Sequence, residues 1–247
     1  MFDKRLRFLG LMLIGVVMSW AIASCSSATT DTSTTATTAA NTTSNQPVKL
    51  TLVSYAVTQS AYEKIIPKFT QQWKDKAGQD VTFDQSYGGS GSQTRAVIDG
   101  LEADVVALAL AGDTKKIEKA GLIQAGWEKE LPNDAIVTKS VAALVKRDDK
   151  IQLTKWSDLT NSEIKVITAN PKTSGGAKWN FLALWGSVTQ AGGSPQAAQT
   201  FVEKVYKNVP VLPKDAREAS DVFFKQGQGN VLINYENEVI LAKQKGG

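Results

Sequence analysis

Two glycine turns that carry serine hold the residues whose types and spacing could do chemistry. One is Ser86-Tyr87-Gly88-Gly89-Ser90-Gly91-Ser92; the other is Pro171-Lys172-Thr173-Ser174-Gly175-Gly176-Ala177-Lys178-Trp179. Each follows a strand-like run and precedes an apolar helical period, Thr94, Val97, Ile98 and Leu101 in the first case and Phe181, Leu182, Trp185 and Val188 in the second. The pattern reads as strand, turn, helix. Serine at a helix N-cap leaves the next backbone N–H groups without intrahelical acceptors, and glycine lets a ligand come close to the main chain. Such a terminus suits an anion. One turn of this kind is equally well an ordinary capped helix; two in one chain favour the anion. Neither continues into Gly-Lys-Ser/Thr or contains G-x-G-x-x-G, which argues against a nucleotide.

Other chemistries fall away on composition. The chain has no histidine and a single cysteine, Cys25, so Ser-His and Cys-His nucleophile pairs, the usual zinc sites and an internal disulfide are excluded. Neither a metal nor a cofactor is expected. Carboxylates remain: Glu102 with Asp104, or Glu236 with Glu238, stand at alternate positions and could share a strand face. An exported carboxylate-dependent hydrolase is therefore the alternative from another class, although charged residues at element ends are ordinarily solvated. The preferred reading is a binding protein and not an enzyme.

Several kinds of segment must position these turns. Residues 1–25 read as a secretory leader, with Lys4, Arg5 and Arg7 before an apolar run from Phe8 to Ala23 that is short for a membrane span. Residues 26–46 are almost all Ser, Thr, Ala and Asn, a flexible tether by composition. Three of the 28 basic and one of the 24 acidic residues lie in the leader, so the remainder carries a net charge of +2, too mild to argue for nucleic acid.

From Val48 to Ser54 the alternation predicts a strand. A capping box at Ser60-Ala61-Tyr62-Glu63 opens a helix with Tyr62, Ile65, Ile66, Phe69 and Trp73 on one face, a kink at Pro67 and a stop at Gly78. Strands follow at Asp80–Gln85 and Asp104–Ala109, then a short helix capped by Asp113 and an apolar run from Ala135 to Val145. A helical turn at Trp156–Leu159 leads to the strand before Ser174. Ser194-Pro195 starts a helix, and Val209–Leu212, a helix from Arg217 to Lys225, the strand Val231–Tyr235 and a helix from Glu236 complete the chain. This alternation predicts parallel-rich α/β sheets, with ligands at the carboxyl ends of strands.

Five stretches carry a resemblance: Val53-Ser54-Tyr55; Asp84 through Gly91; Gly100-Leu101-Glu102-Ala103-Asp104-Val105-Val106; Asn170 through Asn180; and Asn230 through Glu238. In these the chain resembles the periplasmic sulfate-binding proteins of ABC importers, relatives of the thiosulfate-binding ones. The resemblance implies a type II periplasmic-binding-protein architecture: two α/β lobes, 47–134 and 135–235, with 236–247 returning to the first and a ligand cleft between them. It implies a tetrahedral dianion held by the Ala56 amide, Ser90, the Ser174 hydroxyl and amide, the Gly175 and Gly176 amides, the Ala216 amide and Tyr235, with Arg217 supporting the binding peptide. It also implies a monomer that delivers sulfate to a membrane ABC permease. Ile22-Ala23-Ser24-Cys25 is similar to a lipobox, implying lipidation at Cys25 and a periplasmic protein tethered to a membrane.

Three departures stand out. The family usually has Asp at the position of Ala56, where the donor is the main-chain N–H, and Trp at that of Tyr235. It also continues well past the Glu236 helix, so a C-terminally truncated first lobe with uncovered apolar surface is expected. Thiosulfate, molybdate and phosphate remain open as the anion.

Overall fold

The computed structural model describes residues 46–246; the leader, Cys25 and nearly all of the tether lie outside them. Two three-stranded sheets organise the described residues. In the first, of order β2-β1-β3, strands β1 (Val48–Tyr55), β2 (Val81–Gly88) and β3 (Val105–Ala107) are all parallel, Leu52 standing opposite both Gln85 and Val105. In the second, of order β4-β6-β5, β4 (Ala142–Lys146) runs antiparallel to β6 (Val231–Tyr235) and β5 (Val166–Ile167) parallel to it. Helices α1 (Gln59–Ala77), α2 (Ser90–Ile98) and α3 (Ala111–Lys119) interleave with the first sheet. Around the second lie α4 (Gly175–Thr189), α5 (Pro195–Lys207) and α6 (Ala216–Ser220), which runs into a π turn at Asp221–Lys225. α7 (Glu236–Gln244) follows β6. The α/β class is the expected one, with a single antiparallel pairing among the described residues.

The two sheets are buried to different extents. Every residue of β6 is buried, as expected of a central strand covered on both faces. One face of its sheet packs Leu159, Ile164, Val166, Leu184, Val202 and Val205 with Val231 and Ile233; the other packs Ile167, Ala177, Ala219, Val222 and Phe223 with Leu232. The first sheet's buried cluster is only Val53, Val97 and Ile117. Helix α1 buries none of its residues, and its stripe Ile65, Phe69 and Trp73 is 51%, 39% and 36% exposed. The apolar face anticipated on α1 thus exists and touches β2 through Phe69 and Phe83, edge to face with centroids 5.9 Å apart, but most of it meets solvent.

Some local expectations change. α1 opens at Gln59, with Thr58 at the N-cap and no side-chain cap bond, so the box at Ser60 is not used. A 3-10 turn, Ala56–Thr58, carries β1 into the helix, and the Thr58 hydroxyl donates to the Tyr55 carbonyl. The helix then runs through Pro67 as one element to Gly78, which caps it at φ 66°. Asp113 is not the cap of α3: Leu110 is, and Asp113 lies inside the first turn. Residues 209–212 lie in neither helix nor strand, and flanking bonds, Val166 N–H to Asn208 O (2.9 Å) and Asn170 N–H to Pro213 O (2.8 Å), lay this segment beside β5.

Candidate anion site

The second turn is built by its own main chain. Beyond β5 the Asn170 carbonyl accepts from the amides of Thr173 (3.1 Å) and Ser174 (2.8 Å), and its side-chain oxygen accepts from Lys172 N–H (2.9 Å). This closes a tight loop that delivers Ser174 to the N-cap of α4, where its oxygen accepts from Ala177 N–H at 3.2 Å. The Ser174 hydroxyl hydrogen remains to be given. Its amide, expected among the ligand donors, is spent on Asn170, because the turn that makes Ser174 a cap uses that N–H. Gly175 and Gly176 come next. Both are buried, and neither amide has an acceptor among the described residues. Buried N–H groups left in this way are costly unless something else takes the bond.

The empty side of each glycine shows what surrounds the α4 terminus. A Cβ on Gly175 would stand 2.6 Å from the Ala109 side chain and 2.9 Å from that of Ser90; one on Gly176 would stand 2.9 Å from the Tyr235 ring and 3.2 Å from Ala216 Cβ. Ser90, Ala216 and Tyr235, far apart in sequence, are thus packed against the two glycines. Ala216 is the first residue of α6, whose cap Asp215 accepts from Glu218 N–H at 2.9 Å. The Ala216 amide has no acceptor among the described residues, and neither has that of Ala56, first residue of the turn after β1. Buried amides anchor these elements to the second sheet. Asn234 donates to the Ala216 carbonyl (2.7 Å) and to Ser220 Oγ (3.0 Å), and Asn180 donates to the Ile233 carbonyl (2.8 Å).

Charges nearby are matched within the protein. Arg217 grips the buried Glu238 with two bonds, 2.7 and 2.8 Å, and its Nη2 reaches the Val57 carbonyl at 3.3 Å. It therefore braces the peptide beside Ala56. Asp113, 2% exposed, accepts from Lys178 (2.6 and 2.9 Å), Lys116 (3.2 Å) and Ser90 Oγ (2.9 Å). Burial by itself would raise its pKa, but the bonds from Lys178, Ser90 and Lys116 outweigh it and hold the carboxyl below the ordinary aspartate value. The Tyr235 phenol is shifted the other way, chiefly by burial and then by Tyr55, Asp113 and Glu238, so it keeps its proton and can donate.

The first turn is used differently. Gly89 caps α2, and the amides of Gly91 and Ser92 both donate to the Thr173 carbonyl, at 2.9 and 3.2 Å. Two amides of the terminus that the sequence held open for an anion are thus taken by the other turn's main chain. Ser90 Oγ gives its hydrogen to Asp113 and accepts from Ala109 N–H at 3.1 Å. For Ser90 to donate to a ligand, its hydroxyl must turn away from Asp113, which would still hold Lys178 and Lys116. Asp113 and Glu238 are the site residues whose roles sequence reading missed. Nothing in local pattern marks them, since each acts on a residue twenty or more positions away.

The carboxylates of the two alternate-position pairs sit in unlike surroundings. Asp104 accepts from Thr51 N–H at 2.7 Å while Glu102 is exposed, and Glu238 is buried on Arg217 while Glu236 faces solvent.

Comparison with known proteins gives a consistent neighbourhood. Residues 50–247 match the family model of the bacterial extracellular solute-binding proteins. A sulfate-binding protein of Synechocystis sp. is 65% identical over 238 residues, covering 96% of this chain and 66% of that protein. The Escherichia coli sulfate-binding protein is 45% identical over 197 residues, 79% of this chain and 60% of its own length. The chain therefore spans somewhat under two thirds of the curated relatives it matches. Among solved structures, the sulfate-binding protein SubI from Mycobacterium tuberculosis H37Rv superposes with a TM-score of 0.72 at 36% identity, over 81% of this chain and 68% of that one.

Proposed function

The chain belongs to the bacterial extracellular solute-binding protein family, and on that premise we propose that it captures sulfate outside the cytoplasm and hands it to a membrane ABC permease. The single observation that carries this reading is the pair of consecutive buried amides at Gly175 and Gly176, which have no acceptor among the described residues. Beside them stand Ala216, the Ser174 hydroxyl and the Tyr235 ring, and the Ala56 amide lies next to the Val57 carbonyl that Arg217 reaches. The names of the sulfate-binding relatives support the choice of anion.

The chemistry follows from a set made of donors. Main-chain dipoles fixed by folding replace the hydration of a dianion without reorganising, and the nearby Lys178 and Arg217 are already paired with Asp113 and Glu238. Each hydrogen bond to the charged ligand nets roughly 1.5–3 kcal/mol, so several together offset a large desolvation cost and leave binding in the micromolar range or tighter. Sulfate carries no proton at neutral pH. Phosphate usually carries one and needs an acceptor, which the amides cannot supply and which the Ser174 hydroxyl and Tyr235 phenol supply only through oxygens whose hydrogens are committed to the anion. Ser90 joins the donors when its hydroxyl turns from Asp113. Arg217 contributes through Val57, holding the Ala56 amide in place. The protein performs no chemistry on its ligand; it is a monomer in the periplasm, tethered through lipid on Cys25.

Calorimetry with sulfate, thiosulfate, molybdate and phosphate at neutral pH tests the assignment. One sulfate per chain, bound more tightly than phosphate, is the expected outcome. Equal binding of phosphate, or no heat with any oxyanion, would refute it.

A further inference from the structure

Gly89 differs from the other glycines of the two turns in what occupies its empty side. Its backbone sits at φ −63° and ψ 133°, a conformation open to any residue, so the turn itself does not require glycine. The requirement is steric and comes from the far side of the fold. A Cβ at this position would stand 2.4 Å from the Thr173 carbonyl oxygen, 2.9 Å from its carbon and 3.0 Å from the Lys214 carbonyl oxygen. All three are backbone atoms, which cannot swing aside as a side-chain tip would. The same Thr173 oxygen accepts the amides of Gly91 and Ser92, and Arg95 Nη1 reaches the neighbouring Lys172 carbonyl at 3.1 Å. Thr173 is held in turn from behind, its hydroxyl donating to Lys214 O at 2.6 Å. Immediately after it comes Ser174, the cap of the helix that offers the free amides.

We infer that Gly89 is a positioning residue for the anion. Its missing side chain lets the Thr173 carbonyl seat on the N-terminus of α2, and this clasp holds the β1–β3 half of the molecule against the turn that presents Gly175 and Gly176. Gly89 gives the ligand no bond of its own. The inference rests on the sulfate reading above for its effect on affinity, but the clasp can be measured without any ligand. Gly91 supplies a graded comparison: a Cβ there would stand 3.2 Å from the same oxygen and 3.2 Å from the flexible Lys178 Nζ, so alanine should be accommodated with a small shift.

The test uses the full chain with Cys25→Ser and a spin-label pair introduced as Lys68→Cys on α1 and Lys204→Cys on α5, both exposed positions. Gly89→Ala should lengthen and broaden the label distance in the absence of sulfate, while the protein still melts cooperatively. It should raise the sulfate Kd at least about tenfold, through faster dissociation. Gly91→Ala should change Kd by no more than about threefold and leave the distance near that of the parent. Ser174→Ala should weaken binding yet keep the parent distance, which separates loss of a donor from loss of the clasp. A Gly89→Ala protein with the parent distance and the parent Kd would overturn the inference, as would equal effects of Gly89→Ala and Gly91→Ala. If the parent binds no oxyanion, the sulfate reading fails, and the ligand-free distance alone decides the clasp.

Discussion

The turn at residues 171–179 and the turn at 86–92 share glycines, a serine and a following helix, yet they use their main chains in opposite ways. Gly175 and Gly176 keep their amides free inside the fold, whereas Gly91 and Ser92 give theirs to the Thr173 carbonyl. Ser174 receives a bond from its own helix and retains its hydroxyl hydrogen; Ser90 has already given its hydrogen to Asp113. A glycine at a helix start therefore says that something approaches the backbone closely, without saying what. In one turn it is the candidate ligand, in the other a second piece of the same chain.

Substitutions can break this contrast, and the largest effect is expected at Gly176. Alanine there would press on the Tyr235 ring and Ala216 Cβ, 2.9 and 3.2 Å away, spreading α4 from α6. Gly176→Ala should weaken sulfate binding at least about a hundredfold by calorimetry, because several donors are displaced together. Next comes Ser174→Ala, which removes one hydroxyl donor and the cap bond to Ala177. It should raise Kd by roughly ten- to a hundredfold and lower unfolding free energy by about 1 kcal/mol in urea titrations.

Asp113→Asn sharpens the comparison from the other turn, with a smaller effect that depends on pH. The folded pKa of Asp113 lies below its ordinary value. The stability it contributes is therefore fully present above the ordinary aspartate pKa of about 3.9 and is lost as pH falls through the lower folded value. Urea titrations should show the variant less stable than the parent by about 1–2 kcal/mol from pH 5 to 8, the scale of a lost charged hydrogen bond, with the gap closing in stronger acid. A gap that persists unchanged into strong acid would mean that Asp113 acts by packing alone. The smallest effect belongs to the uncovered stripe of α1: Ile65→Lys, at a site 51% exposed, should change unfolding free energy by less than about 0.5 kcal/mol and leave sulfate binding untouched.

These contrasts bear on what a sequence can tell. The strand, turn and helix around Ser174 were legible because a cap, two glycines and a helical period are local signals. Ser194-Pro195 was legible for the same reason, and its hydroxyl oxygen does accept from Ala197 N–H at 3.1 Å. Gly78 ends α1 as its left-handed conformation allows. Features that join distant residues were not legible. The bonds from Gly91 and Ser92 to Thr173 span some eighty residues, and no periodicity encodes them. Asp113 looked like a cap, although its carboxylate is held by Lys178 from another helix. The capping box at Ser60 was sound as a pattern but lost to a 3-10 turn that had already carried the chain into the helix. Helix α1 shows the same limit from the opposite side: its stripe was read correctly as one face, but periodicity does not report how much of a face is covered.

The central claim is that the anion is met by the amides of the second turn and not by those of the first. A nitrogen–proton NMR titration of the isotopically labelled chain with sulfate measures this residue by residue. The amide resonances of Gly175 and Gly176 should move strongly downfield, joined by those of Ala216 and Ala56, while those of Gly91 and Ser92 stay bound to Thr173 and shift little. Large shifts at Gly91 and Ser92 with little movement at Gly175 and Gly176 would contradict it.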